Sequence, residues 1–372
     1  MIELRAVSKI YPGQSAPAVD NLSMTVEKGE TCVLVGPSGC GKSTTLRMIN
    51  RMIEPSAGTI LVDNQDVRQS DPDKLRMNIG YVIQQIGLLP HRTVAENIAI
   101  VPRLHGWPKD RIKARVDELL KLIGLDPEET RHKFPSQLSG GQMQRIGVAR
   151  AMAVDPPVML MDEPFGAVDP IARNHLQDEF LRLQKEMKKT ICFVTHDINE
   201  AIKMGDRIAI FSTGRLVQYG TPQEILSSPA NDFVSDFIGY DRVVKMLSLF
   251  NVEDVARRVF CTAGEGELSN IAVKMGDAGA DTCFLLVDAG RPAGFITLED
   301  IEKSGGAAPE SIRQIAAGRG KAFVQENVLL RDALSLMLEL DTEQLGVMDG
   351  DRITGVISLK DIRKHASKKE GE

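Results

Sequence analysis

The stretch Gly36-Pro37-Ser38-Gly39-Cys40-Gly41-Lys42-Ser43 spells G-x-x-x-x-G-K-[ST] without a mismatch. Just before it, Thr31-Cys32-Val33-Leu34-Val35 is apolar and β-branched, which reads as a buried strand. Residues 44–53 read as a helix, stopped by Glu54-Pro55-Ser56-Ala57-Gly58. Strand, glycine loop and helix in that order make a phosphate cradle. Glycines let backbone N–H groups come close to a polyphosphate, and the helix N-terminus faces the anion. Lys42 adds a point charge for the outer phosphates. Ser43 adds a hydroxyl suited to Mg²⁺, an ion that keeps several waters and takes few protein ligands. A chance glycine-rich turn would not carry strand, helix and Lys-Ser in register.

Downstream, Val158-Met159-Leu160-Met161 holds no polar residue and runs into Asp162-Glu163. It reads as a central parallel strand buried on both faces. Asp162 then sits at the carboxyl end, where α/β sheets bind ligands. Two adjacent carboxylates there have no ordinary structural use. Thr190-Ile191-Cys192-Phe193-Val194-Thr195 reads as a second buried strand, ended by His196. In that setting His196 is a candidate contact for the γ-phosphate and water; His91, His105, His132, His175 and His365 lack such a setting. Ile79-Gly80-Tyr81-Val82-Ile83 is strand-like and is followed by Gln84-Gln85. Leu138-Ser139-Gly140-Gly141-Gln142 introduces a helix over 142–153, whose start offers oriented N–H groups and a positive dipole end.

Phosphate loop, Leu-Ser-Gly-Gly-Gln loop, Asp-Glu strand and later His, in this order, resemble the ATPase subunit of an ABC transporter over residues 1–237. The resemblance implies an α/β P-loop NTPase core with an inserted helical subdomain at about 86–150. It implies ATP held by Gly36, Ser38, Gly39, Cys40, Gly41, Lys42, Ser43 and Thr44, with the adenine stacked on Tyr11; a plain packing role for Tyr11 stays open. Mg²⁺ would be ordered by Ser43, Asp162 and Gln84, Gln84 being chosen over Gln85 on family spacing to Pro90-His91. Glu163 would be the general base, with His196 and Gln84 completing the catalytic set. Ser139, Gly140, Gly141 and Gln142 would meet the ATP of a second subunit in a head-to-tail dimer, linked through Asp169. Gly166 and Val168 depart mildly from the usual spelling around Asp169.

The helical spacing of 94–101 and 110–123 fits the inserted subdomain, whose groove in this family grips a cytoplasmic helix of a transmembrane permease. Trp107 reads as a packing anchor. With 372 residues, two or three domains are expected. Apolar content of 42 % suffices for large cores, yet no window of eighteen apolar residues offers a membrane span. The N-terminus enters a strand with no secretory core, so a cytosolic protein is expected. Five scattered cysteines show neither pairing nor metal spacing; Cys32 and Cys192 read as packing residues. Cys40, at a helix start beside Lys42, reads as a reactive thiol. Net charge of −6 with no basic stripe gives no nucleic-acid surface, so membrane association is expected through docking at the cytoplasmic face.

After a linker at 238–250 the organisation changes. Residues 241–372 carry 22 acidic and 17 basic side chains, which is −5 of the net charge. Phe284-Leu285-Leu286-Val287-Asp288 leading into Gly294-Phe295-Ile296-Thr297-Leu298-Glu299-Asp300 recurs 61 residues later as Leu345-Gly346-Val347-Met348-Asp349 and Gly355-Val356-Ile357-Ser358-Leu359-Lys360-Asp361. Each copy follows a helix-like stretch, 268–278 and 329–340. The pattern resembles a tandem CBS (Bateman) module of α+β copies, 251–306 and 307–372. Repeats of this kind bury their faces against each other. Thr297, Asp300, Ser358 and Asp361 match the positions that hold nucleotide in binding members. An adenine nucleotide or cyclic di-AMP is the implied ligand, and a pure dimerisation module the alternative. Cys261 to Gly266 fits the pattern poorly. Lys364, Lys368 and Lys369 read as a solvated helix end, with a salt-screened contact to anionic lipid as the competing reading.

ATPases ending in a CBS pair resemble those of quaternary-amine osmoprotectant importers, and 80–91 looks closest to the glycine betaine/carnitine/choline branch. Such a subunit works with permease subunits and an extracytoplasmic substrate-binding protein. Import of another small solute, a soluble non-transport ABC ATPase and a regulatory protein with a vestigial ATPase are the alternatives. The last conflicts with the intact Lys42, Asp162, Glu163 and His196, and the second lacks a coiled-coil insertion or second ATPase unit.

Overall fold

The computed structural model describes residues 1–83, 87–166, 170–287, 291–303 and 309–366. It divides into two compact units, 1–239 and 240–372.

The first unit is built on a six-stranded sheet. Its order is Arg215–Gly220, Arg207–Ser212, Thr31–Val35, Thr190–Thr195, Val158–Asp162, Ile79–Val82. All neighbours are parallel except the first pair. Thr31–Val35, Val158–Asp162 and Thr190–Thr195 are buried at every residue, as their unbroken apolar runs require. A second sheet joins Val19–Val26, Ile2–Lys9, Ala57–Val62 and Gln65–Asp66, all antiparallel. Helix Lys42–Ile49 lies in one apolar core with both sheets, where Leu46, Met48 and Ile49 meet Leu4, Ile60, Leu160 and Val194.

The helix expected over 44–53 is Lys42–Ile49. It stops early because Arg51 turns left-handed (φ 48°) and the Met52 N–H closes back on the Arg47 carbonyl at 2.8 Å. The helix expected over 142–153 is Gly140–Ala151, two residues earlier at each end. Ser139 caps it by accepting from the Gln142 N–H at 3.2 Å, while the Gln142 side chain accepts from the Ser139 N–H at 3.0 Å. The insert holds Val94–Ile98, Ile100–Leu104 and Lys109–Leu122. The break inside 94–101 has a simple cause: Pro102 has no N–H to give the Ile98 carbonyl one turn back. Trp107 anchors locally, with the Arg111 guanidinium 3.5 Å from its ring centre.

The second unit contains two copies of one three-stranded sheet. In the first, Thr282–Val287 pairs parallel with Cys261–Gly264 and antiparallel with Arg291–Thr297. In the second, Gln344–Asp349 pairs in the same way with Phe323–Gln325 and Arg352–Ser358. Helices Ile271–Ala278 and Leu330–Glu339 occupy equivalent places, and a 3₁₀ segment, Glu265–Asn270, takes the front of the expected 268–278 helix. Phe284 and Phe295 of the first copy pack on Phe323 of the second at ring separations of 6.0 and 6.2 Å.

Helix Pro309–Gly318 follows the first copy and packs back on it, placing Ile312 and Ala316 beside Ile271, Met275 and Ile296. The approach is so close that a Cβ at Gly294 (φ +155°) would stand 1.8 Å from the Ala316 carbonyl oxygen. Gly294→Ala should therefore lift this helix off its strand and destabilise the second unit by about 3 kcal/mol, measurable as a lowered urea midpoint. An unchanged midpoint would contradict the close approach.

Candidate functional site

The site begins where three buried strands end side by side. Val35 pairs with Thr195, and Val194 with Asp162, so the phosphate loop, His196 and Glu163 all leave the same edge of the sheet. Lys42 is the first residue of its helix and is 6 % exposed. Its ammonium donates to the Gly36 carbonyl at 2.7 Å and the Pro37 carbonyl at 2.9 Å, so it lies folded across the loop. The next residue, Ser43, donates its hydroxyl to Asp162 Oδ1 at 2.8 Å, tying the helix start to the strand end. Asp162 is 5 % exposed.

Glu163 adopts a left-handed backbone, φ 48°, an uncommon conformation for a non-glycine residue. Its N–H is held by the Val194 carbonyl at 3.0 Å. Its carboxylate stands 3.5 Å from His196 Nδ1. The turn thus takes the chain out of a buried strand and presents a carboxylate to the histidine on the neighbouring strand end. Tyr11 lies beside the loop helix, its hydroxyl 3.5 Å from Thr44 Oγ1 and its ring 5.3 Å from Lys9 Nζ. Ser139 and Gly140 are exposed at their helix start, and Gly141 and Gln142 half-buried. Gln84 and Asp169 lie outside the described residues.

The loop fits a polyphosphate. A Cβ at Gly39 (φ +80°) would meet no atom within 4 Å, and Pro37, Ser38 and Gly39 are exposed, so the loop is open on that side. That side is bordered by a lysine and a helix N-terminus. Ser43 and Asp162 put two hard oxygens 2.8 Å apart, the donor type Mg²⁺ selects. Among the described residues no group of three His, Cys, Asp or Glu side chains is placed to hold a metal ion by itself. A divalent ion here would therefore rest on few protein ligands.

Cys40 departs from its sequence reading. It is 4 % exposed, and its sulfur sits 3.6 Å from Lys42 Nζ under the loop. A thiol reacts as an accessible thiolate, so burial counts against reactivity whatever charge stands nearby. Cys32 and Cys192 are buried register partners on neighbouring parallel strands, as are Cys261 and Cys283. Sequence spacing cannot show such neighbours.

In the second unit the paired hydroxyl and carboxylate of each copy bond to each other. Thr297 Oγ1 donates to Asp300 at 2.7 Å and Ser358 Oγ to Asp361 at 2.5 Å. Each carboxylate also takes an arginine that the motif did not reveal. Arg319 forks onto both oxygens of Asp300 at 2.5 and 3.1 Å. Arg257 donates to Asp361 at 3.0 Å and to Asp281 at 2.7 Å. Burial pushes the Asp300 carboxyl up, but Arg319 and Thr297 outweigh it and hold it below the usual carboxylate range. A cleft of about 720 Å³ opens beside Asp300, lined also by Asp281, Phe295, Thr297, Arg319 and Gln344.

Fold and site together define an ATP-binding cassette ATPase followed by a tail of two similar α+β copies. The ABC transporter family model matches residues 19–166 and the CBS domain model residues 319–368. The osmoprotectant import ATP-binding protein OsmV of Salmonella typhimurium is 45 % identical over 99 % of this chain and 96 % of its own length. The glycine betaine/carnitine/choline transport ATP-binding protein OpuCA of Bacillus subtilis is 43 % identical over 97 % of this chain and 96 % of its own. A dimeric ATP-binding cassette solved in a post-hydrolysis state with ADP and Pi matches at 34 % identity and TM-score 0.55, covering 60 % of this chain and 99 % of that one. The chain belongs to the family of ABC transporter ATPases that serve osmoprotectant import. Among the described residues no helix is long and apolar enough to cross a membrane.

In the folded chain, Cys40 should react with iodoacetamide at less than about a tenth of its rate in urea, with or without MgATP. Labelling at the unfolded rate in the native protein would refute the burial.

Proposed function

We propose that this chain hydrolyses ATP to power import of a quaternary-amine solute of the glycine betaine, carnitine or choline type. The observation that carries the catalytic part is the Ser43–Asp162 bond beside the Glu163–His196 contact. These two contacts support an ion site and a base beside the phosphate loop. The solute rests on the relatives' names alone, because this subunit does not touch it.

In this reading the 36–44 segment binds the phosphates of ATP and Tyr11 its adenine. Mg²⁺, held by Ser43, Asp162 and Gln84, supplies charge neutralisation of the phosphates when bound. Glu163 takes the proton of the attacking water, and His196 holds that water and the γ-phosphate. Ser139, Gly140, Gly141 and Gln142 serve the ATP of a partner copy, and Asp169 links the two sites. Permease subunits dock on the helical insert, the assembly sits at the cytoplasmic membrane face, and a substrate-binding protein delivers solute outside.

Glu163→Gln should bind MgATP within about threefold of wild type while its hydrolysis falls about 10²- to 10⁴-fold. The trapped nucleotide should shift the chain to a dimer on size-exclusion chromatography. Turnover at the wild-type rate would remove Glu163 from the base role.

For the tail, an adenine nucleotide, cyclic di-AMP included, is proposed for the cleft beside Thr297 and Asp300, with Ser358 and Asp361 as its counterpart. Its ribose hydroxyls would compete with Arg319 for the Asp300 carboxylate and free the guanidinium for phosphate. The same arginine pairs favour the second reading, in which each carboxylate is a structural latch and the tail only dimerises. Titration of the full chain carrying Lys42→Ala, which silences the phosphate loop, with AMP, ATP and cyclic di-AMP separates the two. Binding at tens of micromolar or tighter that is lost in Asp300→Ala supports a nucleotide site. No heat at any ligand leaves the latch.

A further inference from the structure

His196 is 61 % exposed in its side chain, so packing around the ring does not orient it. Its backbone is held instead by a buried polar knot. Thr195, 2 % exposed, ends its strand and donates its hydroxyl to Glu200 Oε2 at 2.6 Å. The same hydroxyl accepts from the Asp197 N–H at 3.1 Å. The residues before and after His196 are thus fastened to one oxygen. Glu200, 6 % exposed on helix Ile198–Met204, accepts at Oε1 from Gln177 Nε2 at 3.1 Å. Gln177 is 3 % exposed on helix Pro170–Met187, the helix that follows 167–169. Neighbouring inward positions of the short helix are Ile198, Ala201, Ile202 and Met204. A carboxylate in that company is costly unless it serves a purpose. Burial first, and then Asp197, push its carboxyl up, while Thr195, Arg173 and Gln177 pull the other way.

We propose that Glu200 is a positioning residue for hydrolysis: through Thr195 it sets the His196 turn against Glu163, and through Gln177 it ties that turn to helix Pro170–Met187. Its carboxylate is buried and bonded to Thr195 and Gln177, so it acts through them. This rests on the role given to His196 above. An approach of 3.5 Å between Glu163 and His196 leaves little room for a drifting turn, and misplacement of a reacting group by an ångström costs rate far more than affinity.

The test is steady-state ATPase kinetics of the full chain. Glu200→Ala should lower kcat about tenfold or more with KM for ATP within about threefold. Glu200→Gln should stay within about threefold of the wild-type kcat, because its amide oxygen still accepts from Thr195. A purely structural acid in the first turn of the helix would give no such rescue. Thr195→Val keeps the shape and removes the donor, and should reproduce the Glu200→Ala loss; it decides the matter where Glu200→Ala does not fold. In a His196→Ala background, adding Thr195→Val should cost less than about twofold more, since the two act through one group. Wild-type kcat in Thr195→Val, or full multiplication of the two losses, overturns the positioning role while leaving His196 in place. Wild-type kcat in His196→Ala overturns both.

Discussion

Asp162 occupies the end of a strand that is buried at all five residues, between two other strands of the same sheet. Such a strand can carry a charged side chain only where it stops, because nowhere else can the charge meet water, a ligand or a donor. The neighbouring Thr31–Val35 and Thr190–Thr195 obey the same constraint. Three buried parallel strands must therefore release their polar chemistry together at one edge. Lys42, Ser43, Asp162, Glu163 and His196 stand close in space because burial forbids them anywhere earlier along their strands. The Ser43–Asp162 bond then locks the loop helix to this edge.

This is also why so much was legible in the sequence. Unbroken apolar runs, each stopped by a polar residue, mark buried strands and their reactive ends at once. The repeated tail was legible for a similar reason, since a spacing of 61 residues is preserved through two strands and a turn. Less visible were partners set by tertiary approach. Arg257 meets Asp361 across 104 residues, and no pattern in either segment announces it. Nothing in the sequence around Glu200 sets it apart from other acids, and only its burial against Thr195 and Gln177 distinguishes it. Cys40 has the neighbours of a reactive thiol, but the loop folds its sulfur inward, which motif reasoning does not describe. Helix ends shifted wherever a local hydrogen bond outcompeted propensity, as at Arg51 and Ser139.

The arginines of the tail follow a rule of their own. Arg257 and Arg319 each stand four residues before the first strand of a copy, Cys261–Gly264 and Phe323–Gln325. Each reaches the carboxylate of the other copy's motif, Arg257 to Asp361 and Arg319 to Asp300. The packing crosses in the same sense. Val252, ahead of the first copy, lies in the core of the second, while Ile312 and Ala316, ahead of the second, lie in the core of the first. Arg257 also bonds Asp281 of its own copy, but each motif carboxylate, Asp300 and Asp361, is met by the arginine of the other copy's lead-in segment. Loss of one arginine would leave a half-buried carboxylate in the opposite copy without its guanidinium partner. The two copies are in this way one folding unit.

The Ser139 helix start would offer the anion contact proposed above without cost to the free chain. Its capping box is closed within the segment, Ser139 serving Gln142 and Gln142 serving Ser139. An uncapped helix end would press for burial or for a partner simply to satisfy its donors. Here that pressure is already relieved, while Ser139 and Gly140 remain exposed and the positive end of a helix spanning Gly140–Ala151 remains directed outward. Affinity for an anion at this end is then conditional: it adds stability when a phosphate arrives and subtracts none when it leaves. If association follows nucleotide occupancy, as proposed, that property is required, since a surface that needed its partner for folding would hold on to it through every turnover.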